Sequence, residues 1–182
     1  MLWIILIIVV VIIAFIISTY NSLVQSKMKV DNAWSQIDVQ LQRRFDLIPN
    51  FVETVKGYMN HEQETFEKIA ALRTSWANAT TVEDKAELNN QLSSTLKTIM
   101  AVSESYPELK ANENFKQLSE ELSNTENKIS FSRQFYNDAV TMYNDKLLVF
   151  PNNIIGGMFG FKAEALYKID NDSAKQAPKV QF

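Results

Sequence analysis

"RRFDLIPNFVE", residues 43–53, decides how this chain folds, because it sets two arginines, an aspartate and a proline inside an otherwise unbroken helical pattern. Two readings compete. In the first, a helix ends near Arg44: Arg43 and Arg44 lie where the helix dipole favours cations, Asp46 caps the next helix, and Pro49 occupies that helix's first turn. In the second, one helix runs from about Ser22 to Asn78 and kinks at Pro49. The corner is the favoured reading. Four short antiparallel helices bury their apolar stripes within one chain, whereas a long kinked rod needs a partner.

The stripes on either side support helices throughout. Val30, Trp34, Ile37, Leu41, Phe45 and Ile48 recur at spacings of 4, 3, 4, 4 and 3, which draws one apolar line along a helix. A second stripe holds Phe51, Val55, Tyr58, Met59, Phe66, Ile69 and Trp76, and a third holds Leu88, Leu92, Ile99, Val102 and Tyr106. The longest is Phe115, Leu118, Leu122, Ile129, Tyr136, Val140, Tyr143 and Leu147, with Thr125 and Ser132 filling steps of the same heptad. Such a sustained pattern means coiled-coil-like packing. Between stripes, "NATTVED" (78–84) offers a capping box from Thr80 to Glu83 or from Thr81 to Asp84. "YPELKANENF" (106–115) breaks at Pro107 and restarts with Asn112 as N-cap.

At the N-terminus, Leu2 to Ile17 are sixteen consecutive apolar residues, and the uncharged stretch extends to Tyr20. At about 1.5 Å per residue, twenty helical residues span about 30 Å, a bilayer core. Trp3 and Tyr20 stand at its two ends, where interfacial aromatics belong. A cleaved signal peptide would require a basic leader and a small-residue cleavage site, and neither is present. The expectation is a retained single-pass anchor. Lys27 and Lys29 are the basic residues that follow closely, so the positive-inside rule places the domain on the cytosolic side.

Composition narrows the chemistry. The 182 residues carry 18 basic and 21 acidic side chains, a formal charge of −3, with no polybasic run to attract nucleic acid. Cysteine is absent, which excludes thiol nucleophiles, disulfides and thiolate metal sites. His61 is the one histidine. In "HEQET" it neither follows a glutamate as a di-iron motif requires nor precedes a second histidine as a zincin requires. No Ser or Thr can be matched with a second histidine, and no Gly-rich phosphate loop follows a strand. The sequence therefore predicts no catalytic, metal or cofactor residues.

"YNSLV" (20–24), "AWSQIDVQLQRRFDLIPNFVETVKGY" (33–58), "YPELKANENF" (106–115), "ENKISFSRQFYNDAV" (126–140) and "GMFGFK" (157–162) together resemble the LemA family of bacterial membrane proteins. The resemblance implies an all-α fold in which an N-terminal transmembrane helix, residues 1–20, precedes an antiparallel four-helix bundle at 21–168. It brings no activity. It does imply a setting in the bacterial cytoplasmic membrane among quality-control proteins, with a membrane metallopeptidase as one kind of partner.

Three groups of residues are candidates for function. Glu126, Arg133, Asn137 and Asn144 on the fourth stripe's helix, and Asp31, Asp38 and Gln42 on the first, form polar rows beside the apolar seam. Packed antiparallel, these rows form a polar network that fixes register or lines a ligand or ion path, with Arg133 and Asp38 as the first pair to test. An up-down topology sends 43–50 and 106–113 to the far end, where Arg43, Arg44, Asp46, Glu108 and Lys110 make a candidate partner surface. In "PNNIIGGMFGFK" (151–162), three of the four glycines fall among Ile154, Ile155, Met158, Phe159 and Phe161. That composition suits neither a stable helix nor a free loop, so the segment caps the bundle base or contacts lipid or another subunit. The tail at 169–182 reads as mobile. The expected function is a non-catalytic, membrane-anchored helical module that binds a membrane protein or itself; the alternative is a membrane-shaping or pore-like homo-oligomer that contacts lipid through the anchor and 151–162.

Overall fold

The computed structural model describes residues 1–59 and 62–168; His61 and the tail from 169 onward lie outside them. Six helices follow in order: α1 (Leu2–Lys56), α2 (Gln63–Asn78), α3 (Val82–Ser103), α4 (Pro107–Ala111), α5 (Glu113–Leu148) and α6 (Asn152–Met158). No strand occurs among the described residues. The fold is all-α, as the stripes require.

The corner expected at Arg43–Asp46 does not exist. Helix α1 runs through Pro49 and ends only at Lys56, followed by a turn at Gly57 and Tyr58. An interior proline removes one backbone hydrogen bond and crowds the preceding turn, at a cost of about 3 kcal/mol. Against that stand Phe45, Ile48, Phe51 and Val55, all buried, each contributing roughly 1.5–3 kcal/mol. Breaking the helix at 44 would take these side chains off the buried line that Ile37 and Leu41 begin, so continuity wins. The second stripe is accordingly divided, with Phe51 and Val55 on α1 and Phe66, Ile69 and Trp76 on α2.

Two other helix starts follow local chemistry. Thr81 is the N-cap of α3 and its Oγ1 accepts from Asp84 N at 3.0 Å, which selects the Thr81–Asp84 option. Asn112 Oδ1 accepts from Phe115 N at 3.0 Å and caps α5. Between them, Pro107 starts the extra single turn α4.

The chain forms two compact units. One comprises Leu41–Asn127 with Tyr167 and Lys168, and holds the end of α1, all of α2, α3 and α4, and the first part of α5. Four long pieces, from α1, α2, α3 and α5, make this a four-helix unit, with α4 a single turn between α3 and α5. Phe45 stacks on Trp76 with centroids 4.2 Å apart, and the Lys56 ammonium lies 5.7 Å from the Phe66 ring centre, so α1 and α2 run antiparallel. Phe51 stacks on Phe115 at 5.8 Å and joins α1 to α5. At the end of this unit, Tyr58 Oη accepts from Asn112 Nδ2 at 3.1 Å, and Tyr106 Oη donates to Glu62 Oε1 at 3.2 Å.

The other unit comprises Met1–Gln40 and Lys128–Leu166. Here α1 and the second part of α5 pack antiparallel: Trp34 meets Tyr136 edge-on at 5.7 Å, and Lys146 Nζ donates to Ser22 O and Ser26 Oγ, both at 3.0 Å. Val30, Ile37, Ile129, Val140 and Tyr143 are buried between them. Leu2 to Tyr20 form the start of α1, where an 18-residue stretch has mean hydropathy 3.2 and exposed apolar side chains, long and apolar enough to cross a membrane. Helix α1 passes position 20 without interruption, so anchor and domain share one helix.

Candidate functional site

Within the four-helix unit, a charged cluster forms around a residue that the sequence places on an exposed corner. Arg44 is buried, at 3% exposure, because continuity of α1 turns it inward toward α3 and α5. Its Nη1 donates to Asn89 Oδ1 at 2.6 Å and to Ser93 Oγ at 2.8 Å, and forms an ion pair with Glu126 Oε2 at 2.5 Å. Burial pulls the Arg44 guanidinium below its usual value, and the Glu126 carboxylate works in the opposite direction. A guanidinium is effectively always protonated in proteins, so the group is charged. Arg44 Nε and Ser119 Oγ, both buried, make no protein hydrogen bond. Beside the pair is an open cleft of about 260 Å³ lined by Ser93, Leu96, Met100, Ser119, Leu122 and Glu126, among others.

The residues of the two polar rows take several kinds of partner. Glu126 binds Arg44, a residue outside either row. Gln42 takes a hydrogen bond from Trp76 Nε1 at 3.3 Å and gives one to Asp46 at 2.9 Å. Arg133 Nη2 lies 3.4 Å from Ser130 Oγ, and Arg133, Asn137 and Asp38 are half-buried. Asn144 holds backbone: its Nδ2 donates to Glu164 O and its Oδ1 accepts from Glu164 N, both at 2.9 Å.

The expected partner surface also separates. Arg43 and Asp46 are exposed on α1, Arg43 at 4.0 Å from Glu121, but Arg44 is inside. Glu108 and Lys110 lie on α4 with Lys110 paired to Glu104 at 2.5 Å. The residues that meet this corner are Tyr58 and Glu62, and Arg43 sits fifteen residues before Tyr58, about 22 Å along a helix.

In the unit that holds the anchor, residues 161–166 have no regular secondary structure and are clipped to α5. Tyr143 Oη donates to Lys162 O at 2.9 Å and Tyr136 Oη to Ala165 O at 2.8 Å. With the paired hydrogen bonds of Asn144, three α5 side chains, two adjacent and one about two turns earlier, hold four backbone groups on three residues, Lys162, Glu164 and Ala165. Lys27 reaches Glu164 at 3.0 Å and Asp31 at 2.5 Å. Burial opposes the Lys27 charge, but the two carboxylates outweigh it and raise its pKa. The Tyr143 phenol is also raised, first by burial and then by Glu164, with Lys27 opposing and Asp31 adding.

The glycine-containing segment is helical after all, over Asn152–Met158. A Cβ on Gly156 would clash with Leu147 Cδ1 and stand 3.7 Å from Leu23 Cδ1, so the missing side chain is what lets α6 approach α5 and α1. Ile155 is buried, while Ile154, Met158 and Phe159 face outward and Phe161 is half-buried. Tyr20 meets Phe159 at 4.9 Å and Phe161 at 5.6 Å, both edge-on. The sequence reading missed Leu148, Val149 and Phe150, which are exposed at the end of α5 and beyond. The apolar run just before Pro151 was the available signal.

Among the described residues no group of three Asp, Glu or His side chains is placed to hold a metal ion. The LemA family model matches residues 33–182. The chain is also similar to Protein LemA of Metamycoplasma hominis, 28% identical over 162 residues that cover 85% of this chain and 74% of the relative. The family match extends from the middle of the anchor-bearing unit through the four-helix unit and beyond, so the chain belongs to the LemA family.

Proposed function

We propose that this chain is a non-catalytic, membrane-anchored module whose helical surface docks a second membrane protein or another copy of itself. The observation that carries the reading is an outward apolar ridge on α5: Phe131, Phe135 and Met142 are each about 67–71% exposed and recur at helical spacing on one face. Large apolar side chains in line on a free surface are the mark of a protein contact. Val39 of α1, in the same unit, is 64% exposed and adds to the exposed apolar area. The apolar start of α1 supports anchoring in the bacterial cytoplasmic membrane, and two lysines after it support a cytosolic domain. A membrane metallopeptidase is the partner class that the family resemblance suggests.

A photo-reactive phenylalanine analogue at position 131 or 135 tests the docking role in intact cells. The expected result is a discrete cross-link to a membrane protein or to the chain itself; a ridge that yields no protein adduct while the protein is folded and in the membrane overturns the reading. Orientation has its own check, since the chain has no natural cysteine. A cysteine introduced at Leu166, exposed on the surface, should resist an impermeant thiol reagent in intact cells and react after lysis. Rapid labelling in intact cells puts the domain outside.

A further inference from the structure

The end of α5, the outer face of α6 and the residues that follow these two helices together present six large apolar side chains that are more than half exposed: Leu148, Val149, Phe150, Ile154, Met158 and Phe159, from 52% to 78%. Their position along α1 is fixed by three contacts. Lys146 is tied to Ser22 and Ser26, and α5 runs antiparallel to α1, so the residues after Lys146 lie nearer the anchor. Gly156 sits against Leu147 and beside Leu23. The rings of Phe159 and Phe161 touch Tyr20, the residue that ends the uncharged apolar stretch.

We infer that these residues form a collar that enters the bilayer interface beside the anchor, so that the unit contacts lipid at two places. The inference rests on the anchored reading above, because a bilayer around Leu2–Tyr20 has its boundary near Tyr20. The apolar collar is then continuous with the apolar surface of the anchor. Its polar neighbours are arranged to match: Lys27 with Asp31 and Glu164, then Lys146 and Lys162, stand on the domain side of Tyr20, where headgroups and water can solvate them. Helix α6 is amphipathic in the needed sense, with Ile155 and Gly156 turned to protein and Ile154 and Met158 turned away. A helix lying in the interface buries its apolar face about 5–10 Å into the headgroup and acyl boundary. Two contacts on one rigid helix pair restrict tilt and roll, which sets the direction in which α5 presents its ridge.

Full-length chain reconstituted in vesicles of phosphatidylcholine with phosphatidylglycerol provides the test. Single cysteines are introduced as Met158→Cys, Leu148→Cys, Ile8→Cys in the anchor, and Asp138→Cys on exposed α5, each labelled with an environment-sensitive fluorophore. The labels at 158 and 148 should be quenched by nitroxides near the lipid headgroup more than by nitroxides at the bilayer centre, and should escape aqueous iodide. The label at 8 should show the opposite depth profile, and the label at 138 should be quenched by iodide alone. If 8 is lipid-quenched while 148 and 158 are reached by iodide, the anchor stands and the collar is wrong. If 148 and 158 escape both quenchers, protein covers them, and the collar is again wrong. If 8 is itself reached by iodide, the anchored reading fails and takes the collar with it.

Discussion

Arg44 and Glu126 form an ion pair at 2.5 Å in which one partner is sealed and the other half open: the Arg44 side chain is 4% exposed and that of Glu126 45%. The asymmetry has an energetic consequence. Removing the arginine leaves a carboxylate that water can solvate, whereas removing the glutamate leaves a buried cation with only neutral partners, Asn89 and Ser93.

Glu126→Leu should therefore destabilise the four-helix unit more than Arg44→Met does. The expected loss is about 2 kcal/mol for Glu126→Leu, reduced from the cost of breaking a fully buried pair because Glu126 is partly screened. The double change should recover most of it. Urea melts of the full chain in mild detergent give the double-mutant cycle, and additive losses would show that the pair is not coupled.

Asp46 lies inside α1, exposed, with its carboxylate accepting from Gln42 Nε2 at 2.9 Å. Asp46→Ala should change stability by less than about 0.5 kcal/mol, as surface substitutions usually do. A true N-cap would cost about 1 kcal/mol. A loss of that size in the same melts would restore the helix boundary at Arg44.

The adjacent glycines of α6 separate packing from propensity. Gly156→Ala drives a methyl against Leu147 and should destabilise the anchor-bearing unit by about 1 kcal/mol, because Leu147 is flexible and can partly yield. Gly157 has open space around it. Gly157→Ala should be neutral or stabilising by roughly 0.5 kcal/mol, since alanine is the better helix former. Thermal melts that rank the two variants the other way would remove the close approach of α6.

The clip on 161–166 should fail in alkali. Burial raises the Tyr143 phenol above its usual value, with Glu164 and Asp31 adding and Lys27 opposing, so the docked state holds the proton more tightly than the released state. Docking is then at full strength below about pH 10, the ordinary phenol value, and is lost as pH rises through the elevated one. Lys27, also raised, weakens in the same direction. A fluorophore on Leu166→Cys should lose anisotropy above about pH 10, and Tyr143→Phe should make that loss shallower. Constant anisotropy to pH 11, roughly one unit above the phenol value, would separate the clip from these titrations.

What the sequence determined by itself was whatever depends on neighbours along the chain. The apolar spacings from Val30 to Leu147 named the buried faces, because a helix brings residues three and four apart onto one side whatever else is present. Asn112 was legible as a cap for the same reason, and Thr81 as one of two candidates with Thr80: Asn112 and Thr81 each satisfy a backbone N–H three residues on. The uncharged run to Tyr20 showed its length and character directly. Tertiary structure decided the rest. Whether Pro49 ends α1 depends on how much apolar surface Phe45, Ile48, Phe51 and Val55 bury against other helices, and local chemistry at "RRFDLIP" favours a break that this burial overrides. Once α1 continues, Arg44 must point inward, and it can do so because Asn89, Ser93 and Glu126 arrive from α3 and α5 to meet it. The backbone of 161–166 carries no periodic signal, and its place is set by the side chains of Tyr136, Tyr143 and Asn144. In each case the deciding energy comes from groups distant in sequence, which helical spacing alone does not encode.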